Sequence, residues 1–358
     1  MKISRLDTVR VRIPQKPPIA PYQNRYRAGT HKVGLLVRIE TDGGLVGWGE
    51  TPDDWLNNSL ADAPEEHLRK QVLGRDPFDV ERFAAENTLG PFLASAAEMA
   101  MWDVMGQATN QPLYRLLGGA VRKEIELAAC MGIRPYDEAK AIAARYVEQG
   151  FTTLKTKAGR DAQEDLDMVR GIRDGAGDRL KLRIDPNMGY TPDVARQLAK
   201  DLEKYHLEYL EQPMHSTLLA ESARLRKQTT TPLALNESVT TTEVVMQILQ
   251  LGAADVILPD TYQGGGILQV KKVAALCEAA GVPCVFHCAH DLGPKTAAML
   301  HVVASTPNFP LANDCTYYGL EDDVITPTFA IERGRMRVPE GPGLGIHIDE
   351  AKLARYRV

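Results

Sequence analysis

From about Glu124 onward, short apolar stretches alternate with amphipathic ones every 20–30 residues, the βαβ rhythm that builds a parallel sheet. The stretches that read as strands are Ile125–Met131, Thr153–Lys157, Leu182–Asp185, Tyr209–Glu211, Leu233–Glu237, Val256–Leu258, Cys284–His287 and Phe309–Ala312. Helical periodicity lies between them, over Tyr136–Gln149, Ala162–Gly175, Pro192–Tyr205, Leu218–Lys227, Thr242–Leu251 and Gly266–Ala280. Eight strand-like pieces predict a closed (β/α) barrel rather than an open sheet.

What precedes this region has another character. Ser4–Ile13, Val33–Glu40 and Leu45–Glu50 read as strands, the last two joined by the turn Thr41-Asp42-Gly43-Gly44. A polar, Pro-rich, cationic loop, Pro14–Lys32, separates the first two, and helical patterns run from about Ala63 to Leu117. The expected organisation is an α+β unit over 1–120, a barrel over 121–323, and a tail over 324–358 that packs back on the first unit.

With 44% hydrophobic and 25% charged residues the composition is that of an ordinary globular protein, and a net charge of −5 without a basic run points away from nucleic acid. No apolar run approaches the roughly 20 residues that span a bilayer, and no signal-peptide core is present, so membranes are not expected and a cytoplasmic location is. Five cysteines without paired spacing (Cys130, Cys277, Cys284, Cys288, Cys315) argue against a disulfide framework, and the pair flanking His287 reads as buried small residues rather than zinc ligands.

The strand ends carry the chemistry. The second barrel strand ends in Lys155-Thr156-Lys157, the third in Asp185-Pro186-Asn187, the fourth in Glu211-Gln212-Pro213, the fifth in Asn236-Glu237-Ser238, the sixth in Pro259-Asp260, and the seventh in His287. The C-terminal ends of parallel barrel strands converge at the mouth, where such barrels keep their active sites. Three of these ends are acidic, Asp185, Glu211 and Glu237, and carboxylates brought together repel unless a cation neutralises them. Hard oxygen donors suit Mg²⁺, one per subunit. The alternative is that each carboxylate pairs with a rim lysine or arginine.

Lys155 and Lys157 share one face of their strand, and crowding near a cation should lower a lysine's pKa towards working pH. His287 is an acid or base with Asp260 as the partner for its other ring nitrogen, although a lone histidine is more often a satisfied core residue.

These residues resemble the enolase superfamily, specifically its mandelate racemase-like subgroup. The likeness runs from GGLVGWGE (43–50) through LLGG (116–119) to GPGLGI (341–346). Its most specific part is spacing: 26 from Asp185 to Glu211, 26 to Glu237, 23 to Asp260 and 27 to His287. The resemblance implies an N-terminal α+β capping domain over a modified TIM barrel, (β/α)₇β. It also implies Asp185, Glu211 and Glu237 as metal ligands, Lys157 as a base with Lys155 beside it, Asp260–His287 as the opposing dyad, Asn187 near metal and substrate, and a homo-oligomer.

Two positions depart from the pattern. Asn236 stands beside Glu237 and is a possible third ligand in its place. Strand eight lacks the subgroup's glutamate, leaving Asn313 or Asp314 to meet the substrate carboxylate.

Enediolate formation by loss of the proton next to a carboxylate is the implied first step. The favoured outcome is dehydration of a sugar acid to a 2-keto-3-deoxy acid. The alternative is racemisation or epimerisation of a 2-hydroxy acid or related carboxylate, and both use the same residues. Gln23, Arg25, Arg27, His31 and Lys32 of the cap loop are read as contacts for hydroxyls or a distal carboxylate, against the plainer reading of a solvated basic turn. An inactive metal-binding scaffold is disfavoured because no base is missing. Muconate lactonising-type chemistry is disfavoured because strand six carries Asp260 where such relatives carry lysine.

Overall fold

The computed structural model describes residues 1–53, 63–288 and 290–358. The chain opens with β1 (Ile3–Pro14), makes a two-residue hairpin of β2 (Tyr22–Gln23) and β3 (Ala28–Gly29), and continues through β4 (His31–Thr41) and β5 (Val46–Pro52). Strands β1, β4 and β5 form an antiparallel sheet in that order. Among the described residues four helices follow, α1 (Pro64–Val72), α2 (Val80–Glu86), α3 (Pro91–Ala108) and α4 (Leu113–Leu116). Residues 54–62 of the expected α+β unit lie outside the described residues.

Gly47 and Gly49 explain how sheet and helix meet. A Cβ at Gly47 would stand 2.2 Å from the Ala100 carbonyl oxygen, and one at Gly49 would stand 1.9 Å from that of Ala96. Only glycine lets β5 lie this close to α3, whose facing residues are themselves small.

The barrel staves are β6 (Glu124–Met131), β7 (Thr153–Lys157), β8 (Lys181–Asp185), β9 (Tyr209–Glu211), β10 (Leu233–Leu235) and β11 (Val256–Ile257), all parallel and paired in sequence order. Cys284–His287 completes the seventh stave without regular strand geometry. Val285 N–H donates to the Ile257 carbonyl (3.0 Å) and His287 N–H to that of Pro259 (3.1 Å), while the Phe286 carbonyl accepts from Asp314 N–H (3.3 Å). The eighth stave is β12 (Asn313–Asp314), which pairs with Leu127 and Ala128 of β6 and closes the ring. It therefore lies just beyond the expected Phe309–Ala312.

Helices α5 (Tyr136–Glu148), α6 (Ala162–Ala176), α7 (Pro192–Leu202), α8 (Leu219–Arg226) and α9 (Thr242–Leu251) follow the periodic pattern to within a few residues at either end. After β11 come α10 (Thr261–Gly264) and α11 (Ile267–Ala279), and after stave seven α12 (Gly293–Ala304). Every residue of α12 is buried, so it has no polar face and gives no amphipathic signal. That is why the sequence did not announce it.

The tail does more than return to the first unit. Its hairpin of β13 (Ile331–Glu332) and β14 (Arg335–Arg337) adds antiparallel to the outer end of β6, while Arg357, just after α13 (Glu350–Tyr356), bridges to Val11 of β1. Among the described residues no helix is long and apolar enough to cross a membrane.

Candidate active site

Burial of the staves forces their polar ends to find one another at the mouth. Lys155 is only 4% exposed. Its ammonium donates to Glu211 Oε1 (2.7 Å) and Asp314 Oδ2 (2.8 Å) and lies 3.5 Å from Asp185 Oδ2. Burial opposes this charge, but Asp314, Glu211 and Asp185 outweigh it and hold the lysine's pKa well above its ordinary value. The expected lowering is therefore not found at Lys155, because carboxylates rather than cations surround it.

Lys157, one turn of the pleat further on, donates to Asp185 Oδ2. Burial alone would raise Asp185; Lys157 and then Lys155 hold it well below the carboxylate range. Asn187 sits just past β8 in left-handed backbone, φ 45°, and its Nδ2 donates to Asp185 Oδ2 (3.2 Å) and Glu237 Oε1 (3.0 Å). Burial and the charge of Asp185 push both Glu211 and Glu237 above their usual range.

Three oxygens here are buried with no hydrogen-bond partner: Glu211 Oε2, Glu237 Oε2 and Asn187 Oδ1. Unpaired buried acceptors are costly, and a bound cation would satisfy them. Asn236 differs from its neighbour. Its Nδ2 donates to the Leu258 carbonyl (3.0 Å) and its Oδ1 accepts from Gln263 Nε2 (3.3 Å), so its amide is engaged by residues that follow the sixth stave.

Glu211, His287 and Asp314 also bring one potential ligand atom each to within 4.8 Å of one another. The mouth thus contains buried groups able to hold a metal ion.

On the other flank, His287 Nδ1 lies 2.7 Å from Asp260 Oδ2. Asp260 Oδ1 accepts from Tyr262 N–H (2.9 Å) and lies 3.0 Å from the Lys295 ammonium. Asp314 is held by Lys155 and by Arg183 Nη1 (3.2 Å); burial would raise it, but these two cations bring its pKa below the ordinary value. Asn313 is not brought into the cluster. Its Oδ1 accepts from Phe286 N–H (2.8 Å) and its Nδ2 donates to the Leu311 carbonyl (3.3 Å), both serving the closure of the barrel.

The cap loop arches over the mouth. Arg25 Nη1 and the Tyr26 hydroxyl both donate to the Asn187 carbonyl (3.2 and 3.0 Å). Ile133 N–H, past the end of β6, donates to the Gln23 carbonyl (2.7 Å). Lys32 is buried and offsets the charge of Glu50, whereas His31 is exposed beside Thr30.

Sequence reasoning missed Tyr22 and His290, whose rings meet edge to face with centroids 4.0 Å apart. Gln15 Nε2 lies 2.9 Å from His290 Nδ1. Burial, then the charges of Lys32, Lys157 and Arg27, keep the His290 pKa well below its ordinary value. Lys295 and Arg183 were also missed; only a placed α12 and a closed barrel reveal them. All five cysteines are free, and Cys284 is buried while Cys288 is half-buried.

A capping α+β layer over a barrel with acidic and basic strand ends at its mouth is the architecture of the enolase fold. Residues 7–118 match the mandelate racemase / muconate lactonizing enzyme N-terminal domain and residues 138–352 the enolase C-terminal domain-like family. The chain is 32% identical to the L-Ala-D/L-Glu epimerase of Bacillus subtilis, with 97% of each covered, and 28% identical to the arabinonate dehydratase of Saccharolobus solfataricus, with 90% of each covered. The dipeptide epimerase of Enterococcus faecalis, solved with Mg and the dipeptide L-Leu-L-Tyr, superposes with a TM-score of 0.89 at 27% identity, over 97% of this chain and 99% of that one. The chain belongs to the mandelate racemase/muconate lactonizing enzyme family of the enolase superfamily. It is an enzyme of that superfamily, a racemase/epimerase or a dehydratase, that abstracts a proton from a carboxylate substrate.

Proposed function

We propose that the protein dehydrates a sugar acid to a 2-keto-3-deoxy acid. The Asp260–His287 pair, 2.7 Å apart and facing a mouth whose other flank is Lys157, supplies the proton-transfer groups that either outcome needs, and the observation that carries this reading is what roofs them. The hydrogen-bonding roof supports it: Gln15, Tyr22, Arg25 and His290 offer partners to a hydroxylated chain rather than an apolar pocket.

Mg²⁺ fits Asp185, Glu211 and Glu237, because two of their oxygens are buried and unpaired. The Glu211–His287–Asp314 group is the weaker candidate, since the Lys155 ammonium already bridges Glu211 and Asp314 and His287 supplies a nitrogen where Mg²⁺ prefers oxygen. When bound, the ion supplies positive charge against the negative charge that grows on the substrate carboxylate.

Lys155 provides a second fixed cation at the same place. Lys157 takes the C2 proton, and the C–H electrons pass into the carboxylate to give an enediolate. Their return expels the C3 hydroxyl, which leaves as water with a proton from His287, and the enol tautomerises to the keto acid. Asp314, ionised by its cations, acts as an acceptor that orients Lys155 and not as an acid.

Epimerisation is the second reading, favoured by the 32% identity to an epimerase. Screening an acid-sugar library with Mg²⁺ for semicarbazide-reactive product separates them. A 2-keto acid with solvent deuterium at C3 is the expected result. Interconversion of configuration without keto acid would replace dehydration by epimerisation.

A further inference from the structure

Lys295 is fully buried at 0% exposure, yet nothing in the proposed reaction uses it. It projects from the first turn of α12, the helix behind stave seven. Its ammonium lies 3.0 Å from Asp260 Oδ1 and 3.2 Å from Asp291 Oδ2, with the Tyr262 ring centroid 3.8 Å away and that of Phe286 at 5.3 Å. Its own backbone N–H donates to Glu50 Oε2 (3.1 Å), so the cap's sheet fixes the helix turn that carries it.

The two oxygens of Asp260 are thus divided. Oδ1 is held by Lys295 and by Tyr262 N–H, and Oδ2 faces His287 Nδ1. A carboxylate anchored at one oxygen cannot rotate its other oxygen away. Its bond to Nδ1 then fixes both the ring plane and the tautomer of the histidine, with Nε2 left for chemistry. A buried ammonium placed only for stability would need no such alignment.

We infer that Lys295 is a positioning residue for this active site, acting on His287 through Asp260 from outside the mouth. The inference rests on the proposed role of His287 as a proton-transfer group. Burial works against an ionised Asp260, and Lys295 is the largest influence opposing it, followed by His287.

The test pairs Lys295→Met with Asp291→Asn, so that no excess buried charge remains, and reads the enzyme in two ways. In histidine-labelled protein, the Nδ1–H of His287, assigned by its absence from His287→Asn, is expected as a slowly exchanging ring proton. It should vanish or broaden in the double variant while methyl dispersion shows an intact fold, and Asp291→Asn alone should retain it. With the acid found by screening, kcat should fall roughly tenfold or more and KM should change little. A double variant that keeps the His287 ring signal overturns the inference, whatever its kcat. So does one that loses the signal together with methyl dispersion while Asp291→Asn alone does the same, because the lysine would then be structural. If no acid turns over in the parent enzyme, the proposed function fails, while the ring signal still decides the role of Lys295.

Discussion

Two sets of buried carboxylates, one between cap and barrel and one at the mouth, behave differently. At the seam between cap and barrel, each is spent on backbone N–H groups. Glu98 accepts from Ile267 and Leu268 at the start of α11, Glu50 from Leu292 and Lys295 at the start of α12, and Asp103 from Trp48 and Leu344. At the mouth, Asp185, Glu211 and Glu237 share lysines and one asparagine, and two oxygens stay unpaired. A buried acid whose lone pairs are all met is a fastener. One left short of donors is a place for chemistry.

The sharpest way to break this contrast is at His287. His287→Asn should cut turnover by about 10²–10⁴-fold, the range for removing a general acid or base, with Mg²⁺ affinity unchanged by calorimetry. A parallel loss of Mg²⁺ affinity would move the metal to the Glu211–His287–Asp314 group. At the seam, Gly49→Ala would place a methyl group 1.9 Å from the Ala96 carbonyl oxygen. It should cost about 1–3 kcal/mol or more in chemical denaturation. An unaltered midpoint would mean that β5 and α3 can part without loss.

Smaller effects sharpen the picture. Glu237→Gln should weaken Mg²⁺ binding at least about tenfold, whereas Asn236→Ala should leave it nearly intact; the reverse ranking would make Asn236 the ligand. Glu98 gives the finest test. Burial, outweighing its backbone donors, raises its pKa to about 7 from an unfolded value near 4.5. Between those values the folded state binds the extra proton, so stability falls as pH rises through this window and levels off above it. Glu98→Gln should flatten that part of the stability–pH curve. A slope that survives the substitution belongs to another group, such as Asp103, raised by burial to about 6.

How legible all this was from the sequence depended on periodicity. Strand ends such as Lys157, Asp185 and Glu211 could be read because apolar runs stop at them and because their intervals repeat. Helix α12 could not, since a helix buried all round has no polar stripe, and Lys295 was hidden with it. Strand eight was placed a few residues early because its pairing with β6 covers only Asn313 and Asp314, too short a run to leave a pattern. Adjacent letters could not rank Asn236 against Glu237; in the fold the Asn236 amide is engaged by Leu258 and Gln263, while Glu237 meets Asn187. Tyr22 and His290 meet across a sequence distance that no local rule spans.

The ring of staves closes through β6, which receives β12 on one side and β14 from the tail. Lys155 and Asp314, 159 residues apart, touch only when that closure is made. A ribosome that has delivered the first seven staves has therefore made a protein with its lysines and acids but with no Asp314 to steady Lys155. That contact spans a great sequence separation, so the chain-closure entropy it must overcome exceeds that of any local pairing. The same topology that holds the barrel shut also brings Asp314 to Lys155.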